Sequence, residues 1–171
     1  YSNLGNVYQE LGNEQEAEQC YDKSLALRQK IDDQQGLAVS YNNLGTLYTG
    51  QRQYAKALAQ FEKAMAINER LGYRKSVASV LLSMADVHDR QGDRPKALHY
   101  GKRALEMAEQ VKAMDYQHDA LKKLSTIAAG MGDFRAAYDY RLRYEAVNDS
   151  IFNAEKTRAL VRYQMRADFE R

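Results

Sequence analysis

Apolar residues recur along this chain at the three- and four-residue spacing of a helix face. Tyr1, Leu4, Val7, Tyr8 and Leu11 share one such face, and Tyr41, Leu44, Leu47 and Tyr48 share another. Later segments repeat the pattern with Ala17, Tyr21 and Leu25, then with Ala57, Phe61, Ala64 and Ile67. The spacing therefore predicts helices and no strands. The segment YSNLGNVY at Tyr1 returns as YNNLGTLY at Tyr41, as LLSMADVH at Leu81 and as LKKLSTIA at Leu121, a constant period of 40 residues. Each copy is followed by a second amphipathic segment. Gly12-Asn13, Gly92-Asp93 and Gly132-Asp133 stand between the two segments. Glycine suits the left-handed residue that ends a helix, and Asn or Asp can cap the next one. Pro95 falls in a first helical turn, where its missing N–H costs little. Each copy thus reads as a helix–turn–helix hairpin, and the fold class as all-α.

One register position is small in every first segment: Gly5, Gly45, Ala85 and Ser125. Another is alanine in every second segment: Ala17, Ala57, Ala97 and Ala137. Helix backbones that approach closely need small residues at the crossing, with larger neighbours such as Tyr8, Phe61 or Leu105 filling the flanks. Packing accounts for these positions without any catalytic role.

The order Leu4-Gly5, Tyr8, Gly12, Ala17, Tyr21 resembles the tetratricopeptide repeat, as does Leu44-Gly45, Tyr48, Ala57, Phe61, Ala64. The resemblance implies a right-handed superhelical array of four hairpins, about 1–35, 36–75, 76–115 and 116–150, followed by a C-terminal helix or connector over 151–171. Copies three and four drift. His88 and Ala128 replace the tyrosine, and Gly101 and Arg141 replace the later aromatic residue. Terminal units of a stacked array tolerate such drift because they face solvent. The period of 40 exceeds the usual ~34 of this repeat. The additional residues are expected in the hairpin-to-hairpin connections, at Asp32 to Gly36, Leu71 to Lys75 and near Met114. The longer form resembles repeats of bacterial signalling proteins and of kinesin light chains.

From Asn148 the pattern changes. Asp149, Ser150 or Asn153 is expected to cap a new helix running through Leu160 and Tyr163 to Phe169. The run is similar to segments that follow such arrays in bacterial sensors. That resemblance implies a connector toward a membrane helix or an output domain, and a possible dimer through residues 153–171. It also implies an extracytoplasmic location at a bacterial inner membrane, with the cytoplasm as the alternative. A chain that opens on Tyr1 and stops within a helical stretch reads as a fragment of a longer protein.

Composition narrows the chemistry. Across 171 residues, 25 Lys and Arg face 23 Asp and Glu, too even a balance to argue for nucleic acid. No window approaches the 18 or so consecutive apolar residues of a membrane span. The single Cys20 excludes an internal disulfide and a multi-cysteine metal site. His88, His99 and His118 show neither i, i+4 spacing nor an HExxH pattern. No Gly-rich phosphate loop and no GxSxG elbow is present. The expectation is a non-catalytic chain with no metal and no cofactor.

What remains is surface. In the family the concave wall is lined by the first helix of each repeat. The resemblance therefore directs attention to first-helix residues not used for packing. Asn3, Asn6, Asn42, Asn43, Ser83, Asp86, Lys122 and Lys123 are the candidates for a groove that binds a partner protein or an extended peptide. Asparagine is a poor helix-interior residue, but its amide offers an acceptor and two donors to an extended backbone. The competing reading is that these amides bond neighbouring helices. A carboxylate-gripping version of the fold uses three cations and two asparagines. Asn6 and Asn43 match the asparagines, but Ser2, Ser79 and Ser83 occupy the cationic positions, so that version is not expected. The groove is expected to be neutral over the first two copies, acidic at Asp86 and Asp89, and basic at Lys122 and Lys123. Three functions fit: the sensory or interaction region of a larger bacterial signal-transduction protein, a soluble scaffold for complex assembly, or a regulatory appendage fused to an enzyme.

Overall fold

The computed structural model describes residues 1–169. Its helices are α1 (Ser2–Glu10), α2 (Glu14–Lys30), α3 (Gln34–Gly50), α4 (Tyr54–Arg70), α5 (Arg74–Arg90), α6 (Arg94–Gln110), α7 (Met114–Gly130) and α8 (Phe134–Phe169). The sequence repeat of 40 is a structural repeat of 20, a 17-residue helix and a three-residue turn. The expected long connections between hairpins are therefore corrected. Those at 31–33, 71–73 and 111–113 are as short as the turns inside the hairpins, and the additional residues lengthen the helices instead.

Every turn closes in the same way. The middle residue lies in the left-handed region: Gly12, Asp32, Arg52, Gly72, Gly92, Lys112 and Gly132, with φ between 52° and 81°. The amide of the following residue reaches back five positions, as from Asn13 to the Tyr8 carbonyl at 2.8 Å and from Asp93 to His88 at 2.9 Å. These are Schellman ends, which satisfy carbonyls that the helix would leave open. Aspartate caps some of the next helices: Asp33 accepts from the Gly36 amide, Asp93 from Lys96 and Asp133 from Ala136. Asn13, expected to cap α2, makes no such bond.

The core forms where small residues meet large ones 16 positions on. A Cβ at Gly5 would lie 2.5 Å from Tyr21 Cε1, and one at Gly45 would lie 2.5 Å from Phe61 Cε1. The third hairpin departs from this, because the register sets two small residues, Ala85 and Gly101, at the two positions. Leu124 of α7 fills the space above Gly101, and a Cβ there would meet its Cδ2 at 2.9 Å. The aromatic role moves back one residue to Tyr100, which stacks on the buried His88 ring at 5.2 Å between centroids.

Each helix packs on its chain neighbours. Beyond that, among the described residues, the backbones that come close are those of odd-numbered helices: α1 with α3, α3 with α5 and α5 with α7. The first helices thus form one continuous wall. The two ends of the array differ. Leu4 and Val7 of α1 are 46% and 49% exposed, whereas their equivalents Leu44 and Leu47 are 3% and 2% exposed against α2. At the other end the exposed residues Arg141 and Glu145 form an ion pair at 2.9 Å. They stand where α2 and α4 carry Tyr21 and Leu25, or Phe61 and Met65. A polar outer face of this kind is how repeat arrays are capped.

The tail corrects a further expectation. No new cap forms at Asp149, Ser150 or Asn153, because α8 runs unbroken for 36 residues, about 54 Å at 1.5 Å per residue. Its first half completes the fourth hairpin and the rest projects beyond the array. The side chains of Leu160, Tyr163 and Phe169, and the final residues Glu170 and Arg171, lie outside the described residues.

Candidate functional site

Lining up α1, α3, α5 and α7 places equivalent residues in rows across the wall. A hollow there has a volume of about 760 Å³. Helix α3 contributes Thr46, Thr49 and Gly50, and α5 contributes Ser79, Leu82, Ser83, Asp86, Asp89 and Arg90. Helix α7 contributes Tyr116, Asp119, Lys122, Lys123 and Thr126. Gln9 reaches in from α1, and Phe61 of α4 lies at the floor.

Of the residues expected from sequence, Ser83, Asp86, Lys122 and Lys123 line this groove together. Asn3 lies instead in a smaller hollow of about 310 Å³ with Tyr1, Ser2, Ser24, Leu27 and Arg28. Asn6, Asn42 and Asn43 stand on the same wall outside both hollows. The Asn6 carbonyl oxygen accepts from the Tyr21 hydroxyl at 2.7 Å and, weakly, from the Asn43 amide at 3.4 Å. These two amides therefore bond neighbouring helices. Asn42 Oδ1 is buried without a partner.

The charge order expected along the groove is also corrected. Asp86 of α5 is held from both sides, by Arg90 one turn on at 2.6 Å and by Lys123 across the wall on α7. At Asp86 and Lys123 acid and base therefore neutralise each other, while Asp89 and Lys122 line the groove beside them. Burial pushes the Asp86 carboxyl up, but hydrogen bonds from Lys123 and Arg90 outweigh it and hold it below the usual range. Lys122 is exposed in the groove beside this cluster.

Other titratable groups serve packing. Burial lowers the pKa of His88, whose Nδ1 has no partner. Tyr48 donates to Glu18 at 2.8 Å across the first junction; burial and that bond push its phenol up to about 12. His118 sits 4.5 Å from the Tyr144 ring and 3.0 Å from Asp119 Oδ1. No cluster of three metal-ligating side chains occurs among the described residues. The groove lining supplies hydroxyls, one amide and charged groups, with three apolar contacts at Phe61, Leu82 and Tyr116. Such a surface can recognise a polypeptide through backbone and side-chain hydrogen bonds.

Sequence reasoning did not single out Thr49, Leu82, Arg90 and Tyr116 as groove residues. The forty-residue register held the signal. Thr49 precedes Asp89 by one period, Leu82 precedes Lys122, and Tyr116 stands where Gly36 and Ser76 stand in earlier copies.

A family model described as tetratricopeptide repeat matches residues 1–70 and 51–110. Among curated proteins no relative matches the sequence. Several solved structures share the fold. BtubC (BKLC) from P. vanneervenii superposes with a TM-score of 0.78 at 21% identity, over 88% of this chain and 63% of that one. The STAND protein PH0952 of Pyrococcus horikoshii, with its tetratricopeptide repeat sensor, gives 0.79 at 23% identity over 91% of this chain and 24% of that one. Aspartyl phosphate phosphatase F of Bacillus subtilis gives 0.74 at 17% identity, over 88% and 39%. The chain thus spans less than two thirds of the length of each of these proteins. At such identities the likeness is one of fold: an all-α superhelical array of helical hairpins.

Proposed function

Because this chain belongs to the tetratricopeptide repeat family, we propose that it binds a partner protein by holding an extended segment of it along α3, α5 and α7. The observation that carries the reading is the groove itself. Three successive first helices line it with polar side chains in register, and its one wall-spanning ion pair joins α5 to α7. An extended chain running across parallel helices meets a new pair of hydrogen-bonding groups at each one. In the same reading the chain is the sensory or interaction region of a larger bacterial signal-transduction protein. The repeat sensor of the STAND protein gives that proposal its analogy, and the projecting half of α8 gives it a mechanical output. Binding that favours one curvature of the array would bias the direction of that helix. A dimer through residues 153–171 belongs to the same proposal.

The test starts from random peptides displayed on phage and selected on the whole chain. Peptides held in the groove should lose at least about tenfold in affinity on Lys122→Glu or Asp86→Ala, since each removes a charged contact or frees its partner. Substitutions on the opposite surface, such as Lys102→Glu, should change little. Selected peptides indifferent to all groove substitutions would defeat the groove reading.

A further inference from the structure

The first helices are joined across the wall by a rung that repeats 37 residues apart, from a central position on one helix to an earlier position on the next. Between α1 and α3 the rung is Asn6 with Asn43, at 3.4 Å. Between α5 and α7 it is the ion pair of Asp86 with Lys123. Between α3 and α5 the same register places Thr46 opposite Ser83, and there the rung is not made. Thr46 Oγ1 donates to the Asn42 carbonyl of its own helix at 3.0 Å, and Ser83 Oγ donates to the Ser79 carbonyl of its own at 3.2 Å. Among the described residues, no side-chain hydrogen bond or ion pair joins α3 to α5. The nearest link, Tyr73 Oη to Gln35 Oε1 at 3.5 Å, comes from the turn ahead of α5.

Two independent features fall at the same place. The helix backbones approach one another less at the junction of hairpins 2 and 3 than at the junction that follows it. On the wall, Asn42 occupies the register position of Leu82. Leu82 packs against the Leu105, Ala120, Leu121 and Leu124 cluster at the following junction, whereas Asn42 brings a buried carbonyl oxygen with no donor. A buried unpaired acceptor favours any motion that readmits water to it.

We propose that the junction between hairpins 2 and 3 is the compliant joint of the array, through which the groove changes width around its ligand. The proposal rests on the groove reading above and concerns its regulation. The buried cluster of Phe61 on α4 with Val80, Met84 and Val87 on α5 is the pivot, and the seam between α3 and α5 opens about it. The neighbouring seams are bridged by the Asn6–Asn43 amides and by the Asp86 pair. The joint lies beneath the groove, whose lining includes Thr46 and Ser83 themselves. Binding there would exchange the internal bonds of the two hydroxyls for bonds to the partner and fix one curvature.

The test uses the whole chain without a ligand, in a Cys20→Ala background, with spin labels on exposed equivalent positions of successive second helices. The pair at residues 62 and 102 spans the joint, and the pair at 102 and 142 spans the junction carrying the ion pair. The distance distribution should be broader across the joint by about twofold, in line with locally lower stability. Thr46→Asp combined with Ser83→Lys installs there the rung found between α5 and α7, and should narrow that distribution while leaving the other pair unchanged. Asn42→Leu should narrow it as well, so the proposal stays testable if the double variant folds poorly. Equal widths for both pairs in the parent chain, or a joint that neither variant narrows, would overturn it. A narrowed joint together with peptides that bind elsewhere would keep the joint and remove the groove reading.

Discussion

Replacing Gly45 with alanine places a methyl carbon 2.5 Å from Phe61 Cε1, 2.7 Å from Cδ1 and 2.8 Å from Cζ. All three distances lie well inside van der Waals contact. The ring cannot retreat, because Phe61 is 1% exposed and enclosed by Ala57, Ala64, Val80, Met84 and Val87. Overpacking of this severity costs up to about 3 kcal/mol. Alanine returns about 1 kcal/mol of helix propensity, leaving a net loss of about 2 kcal/mol. Gly50, in the same helix, is the internal control. It is exposed, has no atom within 4 Å of an added Cβ and does not lie in the left-handed region. Gly50→Ala should therefore stabilise the chain by about 0.5–1 kcal/mol. Urea unfolding followed by circular dichroism reads both, and the two midpoints should move in opposite directions. In heat, Gly45→Ala should lower Tm by about 4–8 °C. Partial recovery by Phe61→Leu in the Gly45→Ala background would locate the clash at the ring. A neutral or stabilising Gly45→Ala would refute the close helix approach on which the hairpin core is built.

Two further outcomes follow from local geometry. Arg52 and Lys112 hold left-handed conformations at φ 59° and 53°, a strain of about 1–2 kcal/mol for a residue with a Cβ. Arg52→Gly and Lys112→Gly should each stabilise by about 0.5–1 kcal/mol in urea, once the greater unfolded freedom of glycine is subtracted. The buried His88 has its pKa lowered, so below its ordinary 6.5 the unfolded chain binds the proton that the folded chain resists. Stability should then be full above pH 6.5 and decline as pH falls below it, and His88→Tyr, the residue of the first two copies, should flatten that decline.

Much of this fold was written in the sequence as periodicity. The forty-residue repeat, the small residues at Gly5 and Gly45, and the turn glycines at 12, 92 and 132 each carry a steric requirement that residue type alone reveals. Asp32, Arg52 and Lys112 make the same turn with no such requirement in their side chains, so the even twenty-residue structural period was hidden and the additional residues were assigned to connections. The groove was half legible. Residue type and register marked Ser83, Asp86, Lys122 and Lys123, but pairing of Asp86 with Lys123 depends on how far one hairpin is rotated on the next. That rotation is set by packing, for instance by Leu124 entering the space above Gly101. The amides of Asn6 and Asn43 offer the same donors and acceptors to a partner as to each other, and only their placement shows that they are engaged internally.

The course of α8 shows a rule of the array at the point where it is suspended. Each earlier connection between hairpins joins an aliphatic residue to a left-handed one: Ile31-Asp32, Leu71-Gly72 and Val111-Lys112. The register brings Ile151-Phe152 to the same place, and the helix does not turn. A left-handed conformation costs phenylalanine about 1–2 kcal/mol, with no polar side chain to recover it through a local bond. Continuing the helix avoids that cost, and the exposed Phe152 side chain asks for no particular packing. Phe152→Gly removes the penalty and should restore a turn at residues 151–153. The segment beyond would then stand as a separate helix of about 16 residues, near the limit of what is stable alone in water. Far-UV circular dichroism should lose roughly a tenth of its helical signal, while the unfolding free energy of the array in urea stays within about 0.5 kcal/mol. An unchanged spectrum would mean that contacts of the projecting half, rather than the residue at the turn position, hold α8 straight.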